Sequence, residues 1–281
     1  MEGSDINQDP YIKVSNLHVD YGTGTPAIAG LDLTVAEGEF IAIVGPSGCG
    51  KSTLLHCMSG LLHPSSGTVE IEGRRLHGSK DQFPRIGYVF QEHRLLPWRS
   101  VSQNIELVLS AAGVPKREWE DRVTKYLDML QIGKFRESWP LRLSGGQRQR
   151  ASIARALAVD PAVVLMDEPF STLDEVTARA MRQEVLRVWE VSETTIVFVT
   201  HSIREAIFLS DRVILLTRGP ARVLDELPVS VPRPREYEDP HLTELEARIV
   251  QQVMEVWGYE SSEGTTAPGP GITSASKGRR R

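Results

Sequence analysis

Eight consecutive residues, Gly45, Pro46, Ser47, Gly48, Cys49, Gly50, Lys51 and Ser52, have the types and spacing to hold the phosphates of a nucleotide. A glycine-rich turn lets successive backbone N–H groups curl round a β-phosphate. Lys51 supplies a point charge for the β and γ oxygens, and Ser52 offers a hydroxyl to Mg²⁺. Thr53 completes this candidate set. A Gly-rich turn that merely contains a lysine has similar letters; the setting, an apolar run before the turn and a helical pattern after it, argues for ATP or GTP binding.

Two further segments carry chemistry. Val163-Val164-Leu165-Met166 is an apolar run that ends in Asp167 and Glu168. In a phosphate-loop protein an acid at such a strand end helps to hold the Mg²⁺ shell, which assigns Asp167 to the metal with Ser52 and leaves Glu168 to polarise the attacking water. Leu143-Ser144-Gly145-Gly146-Gln147 precedes a strong helical stretch and places a serine cap and two glycines at its start. A helix begun in this way presents unsatisfied N–H groups and a partial positive charge, suited to a γ-phosphate.

These segments must be brought together by a scaffold. Residues 11–21 and 31–35 alternate apolar and polar side chains as half-buried strands do, with Gly22, Gly24 and Pro26 marking a turn between them. Phe40–Val44 is a continuous apolar run of strand length leading into the phosphate loop, and a helix is expected from about Ser52 towards Gly60. Residues 101–139 carry helical spacing with few strand signals. Strand pattern returns at 162–166 and at Thr195–Thr200, each after an expected helix, and that alternation argues for a mainly parallel sheet. The expected fold is α/β: a phosphate-loop NTPase core with a mainly parallel sheet, an antiparallel β edge region and an inserted α-helical subdomain.

The segment Leu143-Ser144-Gly145-Gly146-Gln147 resembles the signature sequence of ATP-binding-cassette (ABC) proteins, and the resemblance extends over about residues 11–225. It implies that Tyr21 stacks on adenine, that Gln91 is the lid glutamine at the metal and the reacting water, that Asp174 belongs to a subunit-contact loop, and that His201 is the switch histidine on the γ-phosphate. Taken singly, Tyr21 would serve equally as a strand-end core aromatic and His201 as a cap on the helix after Thr200; their order around the three motifs favours the site. The resemblance also implies that ATP is held between the phosphate loop of one copy and Ser144, Gly145, Gly146 and Gln147 of another, in a head-to-tail pair.

Phe90 to Trp98, with Val101 and Asn104 beyond, is similar to the importer group serving nitrate, taurine, alkanesulfonates and related small anions or thiamine precursors. There Trp98 would be either a rigid surface anchor for a partner helix, with Pro97 fixing the turn, or filler of the helical subdomain. The partners implied are two integral-membrane permease subunits and an extracytoplasmic substrate-binding protein, with this chain peripheral on the cytoplasmic face of the inner membrane. The expected divisions are an extension at 1–10, the cassette at 11–240 with its helical subdomain at about 92–160, a C-terminal helix at 241–257 and a disordered tail at 258–281 ending in Lys277, Arg279, Arg280 and Arg281.

Composition limits the alternatives. The chain has 281 residues, 40% hydrophobic and 25% charged, enough for a sizeable core without disulfides or metals. A formal charge of −5 disfavours a nucleic-acid partner. The two cysteines, Cys49 and Cys57, are too few for a metal knuckle and fit a reducing cytosol. The longest apolar runs fall far short of the roughly 20 residues needed to span a bilayer, so work at a membrane must pass through partners. A soluble non-transport ABC ATPase remains the alternative class, although fused cassettes or a coiled-coil insertion would be expected of it. Cargo leaves only a trace of lineage in such a chain, because the ATPase never touches it.

Overall fold

The computed structural model describes residues 9–22, 24–76 and 83–258. The alternating N-terminal runs form β1 (Ile12–Val19) and β2 (Ile28–Val35), paired antiparallel. With β4 (Ser66–Ile71) and the two-residue β5 (Arg74–Arg75) they build a separate four-stranded sheet in the order β2-β1-β4-β5. The expected antiparallel edge region is therefore a second layer rather than an edge of the main sheet. Its apolar face, including Ile12, Val14, Leu17 and Leu31, needs a cover of its own, which a sheet edge would not provide.

The cover is α1 (Lys51–Met58), which turns Leu54, Leu55, Cys57 and Met58 into a core shared by both sheets. The main sheet runs β10-β9-β3-β8-β7-β6, made of β3 (Phe40–Val44), β6 (Ile86–Val89), β7 (Val163–Asp167), β8 (Thr195–Thr200), β9 (Arg212–Leu216) and β10 (Val223–Pro228). All are mutually parallel except β10, which pairs antiparallel at the edge.

The strands β3, β7 and β8 are buried along their whole length and split by parity. Ile41, Ile43, Val163, Leu165, Val197 and Val199 face α1 and the antiparallel sheet, whereas Phe40, Ala42, Val44, Val164, Met166, Ile196 and Phe198 face the remaining helices. Burial on both faces explains why these segments are uniformly apolar.

The far layer holds α2 (Val101–Ala111), α3 (Trp119–Met129), α4 (Gly145–Leu157), α5 (Glu175–Ser192), α6 (Ile203–Leu209) and α7 (Pro240–Trp257). The helices α2, α3 and α4 all fall between β6 and β7. The Pro-rich stretch after Arg218 contains β10, and α7 then docks Leu242, Leu245, Ile249, Val253 and Trp257 into the core. Among the described residues no helix is long and apolar enough to cross a membrane. The expected N-terminal extension lies outside the described residues up to position 8, and the expected tail lies outside them from position 259.

Candidate functional site

Parallel strands deliver their carboxyl ends to one edge of the sheet, where ligands of open α/β folds bind. The strand β3 ends at the phosphate loop, β7 at Asp167, β8 at Thr200 just before His201, and β6 two residues before Gln91. A cleft of about 540 Å³ opens there, lined by Tyr21, Ala27, Ser47, Gly48, Gly50, Lys51, Ser52, Thr53, Gln91 and Glu168.

The phosphate loop is tightly drawn. Gly50 has φ +112° and a Cβ there would lie 2.8 Å from the carbonyl oxygen of Ala27, so only glycine fits. Lys51 is 5% exposed and donates through Nζ to the carbonyls of Gly45 (2.7 Å) and Pro46 (3.0 Å), with Glu168 Oε1 at 3.8 Å. Burial pushes the Cys49 thiol up, so it stays protonated inside the loop and is no nucleophile.

Ser52 Oγ donates to Asp167 Oδ1 at 3.1 Å. Burial raises the Asp167 carboxyl above the usual aspartate range, opposed by the Ser52 hydrogen bond. A hydroxyl and a carboxylate in contact are hard oxygen donors that fit Mg²⁺, which takes one or two protein oxygens and leaves its other positions to phosphate and water.

Glu168 sits just beyond β7 at φ +43°, a left-handed conformation costly for a residue with a side chain. Its N–H donates to the Val199 carbonyl at 2.9 Å, and its Oε2 lies 3.0 Å from His201 Nδ1. The Ser171 hydroxyl donates to the Glu168 carbonyl at 2.9 Å and lies 3.5 Å from Gln91 Nε2. Lys51, Ser52, Gln91, Asp167, Glu168 and His201 are thus brought together.

Two alternatives left open by the sequence are resolved. Tyr21 is not a core aromatic: it is 56% exposed, its hydroxyl 3.3 Å from Thr53 Oγ1, on the rim of the cleft. His201 does not cap α6; Ser202 does, accepting from the N–H of Glu205.

Ser144 caps α4 in a full capping box: Gln147 N–H donates to Ser144 Oγ (3.3 Å) and Ser144 N–H to Gln147 Oε1 (2.9 Å). A Cβ at Gly146 would stand 2.8 Å from Thr177 Cγ2 at the start of α5, so a larger residue there would have to displace the threonine methyl. Asp174 caps α5 by accepting from Thr177 N–H at 3.0 Å, and that bond holds its carboxyl below the usual aspartate range. None of Ser144, Gly145, Gly146, Gln147 and Asp174 lines the cleft. The chain carries a cleft gathered round the phosphate loop and, apart from it, the capped start of α4.

Trp98 is no core filler, being 65% exposed. Asn104, 1% exposed, staples the turn that presents it: Oδ1 accepts from Leu96 N–H (2.7 Å), while Nδ2 donates to the carbonyls of Leu96, Arg99 and Ser100. Leu96 of the same segment lines a groove of about 580 Å³ with Tyr88, Phe90, Leu107, Val108 and Arg155, among others. Arg155 donates to the carbonyls of His93 and Arg94, tying the segment after Gln91 to α4.

A family model described as ABC transporter matches residues 28–171. The chain is 41% identical over 243 residues to the aliphatic sulfonates import ATP-binding protein of Rhizobium johnstonii, covering 86% of each chain. It is 38% identical over 252 residues to the bicarbonate transport ATP-binding protein of Synechococcus elongatus, covering 86% of this chain and 90% of that one. Among solved structures it is similar to a dimeric post-hydrolysis state of the ATP-binding cassette MJ0796 bound to ADP and phosphate, with a TM-score of 0.70 and 33% identity over 79% of this chain and 100% of that one.

Proposed function

The chain belongs to the ABC transporter family, and from that premise we propose that it is the ATP-hydrolysing subunit of an importer of small anions, working as half of a head-to-tail pair. One observation carries the reading: the cleft gathers Lys51, Ser52, Asp167, Glu168 and His201, while the capped start of α4 stands apart from it. A second copy would bring its own Ser144, Gly145, Gly146 and Gln147 to this cleft, and Asp174 would lie at the seam.

In the closed pair Tyr21 stacks on adenine beside Thr53. The loop from Gly45 to Gly50 wraps the β-phosphate, and Lys51 turns its ammonium from loop carbonyls to phosphate oxygens. Ser52, Asp167 and Gln91 would hold Mg²⁺, which would supply positive charge to offset that of the phosphates. Glu168 takes the proton of the attacking water. With His201 Nδ1 turned to Glu168, Nε2 is left for a γ-phosphate oxygen.

Exposed Trp98 suits a helix of a permease subunit as an aromatic anchor, and Leu96, two residues earlier, lines a groove open to the same kind of partner. Two permease subunits and an extracytoplasmic binding protein complete the importer, placing this chain at the cytoplasmic face of the membrane. The similarity to aliphatic sulfonate and bicarbonate proteins supports small-anion cargo.

Two experiments test this. Glu168→Gln preserves shape and removes the base, so phosphate release should fall about 10²- to 10⁴-fold while ATP binding persists; hydrolysis at the parent rate refutes the assignment. Cells lacking this chain should fail to grow with taurine or an alkanesulfonate as sole sulfur source while growing on sulfate. A defect confined to nitrate or to limiting bicarbonate would reassign the cargo within the anion class.

A further inference from the structure

The helices α2, α4 and α6 all begin with serine caps, but α6 is built differently. At α2 and α4 the side chain of the third residue, Gln103 or Gln147, accepts from the N–H of the cap itself. At α6 the third residue is Glu205, and its carboxylate does not return to Ser202. Thr200 is interposed: its Oγ1 donates to Glu205 Oε2 at 2.6 Å and accepts from Ser202 N–H at 3.0 Å. Ser202 Oγ in turn accepts from Glu205 N–H at 3.2 Å. A closed ring of hydrogen bonds therefore grips the residues on either side of His201.

His201 needs such a grip, because its side chain is 58% exposed and meets Glu168 Oε2 through Nδ1 at 3.0 Å. Thr200 is 1% exposed, so its hydroxyl has no water to turn to if the ring opens. Arg182 backs the ring from α5: it is 1% exposed, with Nε 3.7 Å from Glu205 Oε1. Arg182 is itself fixed by the Tyr237 hydroxyl at 2.6 Å, in the segment leading to α7. A simple helix cap would require none of these additions.

We infer that Glu205 is a positioning residue for His201, acting through the Thr200 hydroxyl, so that the ring of residues 200, 202 and 205 sets the angle at which the imidazole meets Glu168 and the γ-phosphate. The inference rests on the reading of His201 given above.

The test uses the purified full chain with phosphate release, ATP affinity and NMR of ¹⁵N-labelled histidines, the His201 signal being the one lost in His201→Ala. Thr200→Val removes the hydroxyl, and Thr200→Ser restores it. Thr200→Val should lower kcat about tenfold or more with ATP affinity changed less than about twofold, as expected for misplacement without lost binding. It should shift the His201 ring signal and leave those of the other histidines in place. Thr200→Ser should return both readouts to the parent values. Glu205→Gln, which keeps an acceptor for Thr200 but gives up the charge facing Arg182, should fall between them, and it serves if Thr200→Val fails to fold. An unchanged kcat and His201 signal in Thr200→Val and Glu205→Gln overturns the inference. If His201→Ala itself hydrolyses ATP at the parent rate, the reading of His201 falls and the inference falls with it.

Discussion

Arg235 offers a severe test of how the C-terminal segment is held. Its side chain is buried, with only 7% exposure, and its nitrogens donate to the carbonyls of Val231, Ile207, Phe208, Ser210 and Val229 at 2.7–3.2 Å. Three of these carbonyls belong to the last turn and cap of α6, which have no intrahelical partners and attract a cation. Burial draws the guanidinium down to about 10, so it is charged at neutral pH. Arg235→Met keeps the apolar stem and removes every donor. Each carbonyl left dry costs about 1–3 kcal/mol, but release from desolvating a buried cation returns several of these. A net loss of about 3 kcal/mol remains, in the range found when a buried charged partner is deleted. For a domain of this size that is a fall in Tm of about 6–12 °C. Thermal melts of the full chain measure it, with Arg235→Lys, one nitrogen in place of three, falling between. A melt of Arg235→Met within about 1 °C of the parent would show the five bonds to be replaceable by water and refute the reasoning.

Three other outcomes are expected. Tyr21→Ala should weaken ATP binding by about 1–3 kcal/mol, about 5- to 150-fold in Kd by calorimetry, with kcat at saturation kept; unchanged affinity would remove the stacking role. Trp98→Ala should leave ATP hydrolysis by the isolated chain intact but cost about 2 kcal/mol or more in binding to detergent-solubilised permease; retained binding would put the docking surface elsewhere. Asp174 has a folded pKa below its unfolded one, so its cap stabilises fully above the unfolded value and is lost as pH falls through the folded value. Asp174→Asn keeps an acceptor without that titration, and the acid limb of its melting curve should be shallower below about pH 4.

The central strands were legible because burial on both faces leaves them uniformly apolar: Phe40–Val44 and Thr195–Thr200 have the bounds expected of them. The strands β6 and β10 gave weaker signals. Ile86–Val89 is short and interrupted by Gly87, whose Cβ would strike the Ala156 carbonyl at 2.6 Å, and Val223–Pro228 is a half-buried edge strand that carries two adjacent acids, Asp225 and Glu226. The phosphate loop and Asp167-Glu168 could be read from local spacing. Thr200, Glu205 and Arg182 could not, since their meaning depends on Arg182 of α5 reaching Glu205 of α6 across the fold. Arg235 lay in a short basic, Pro-rich piece whose letters suggest solvent rather than burial. Tyr21 and Trp98 were ambiguous for a related reason: an aromatic residue in sequence looks the same whether a neighbour covers it or not.

The separation of the capped start of α4 from the cleft has a consequence in inheritance. If each working site draws Lys51 and Glu168 from one gene product and Ser144 from another, two alleles that are each dead alone need not be dead together. An allele broken at Lys51 and one broken at Ser144 form mixed pairs in which one site inherits both lesions and the other inherits none. A cell carrying both defective genes would then recover transport, while a cell carrying two alleles broken in the same half would not.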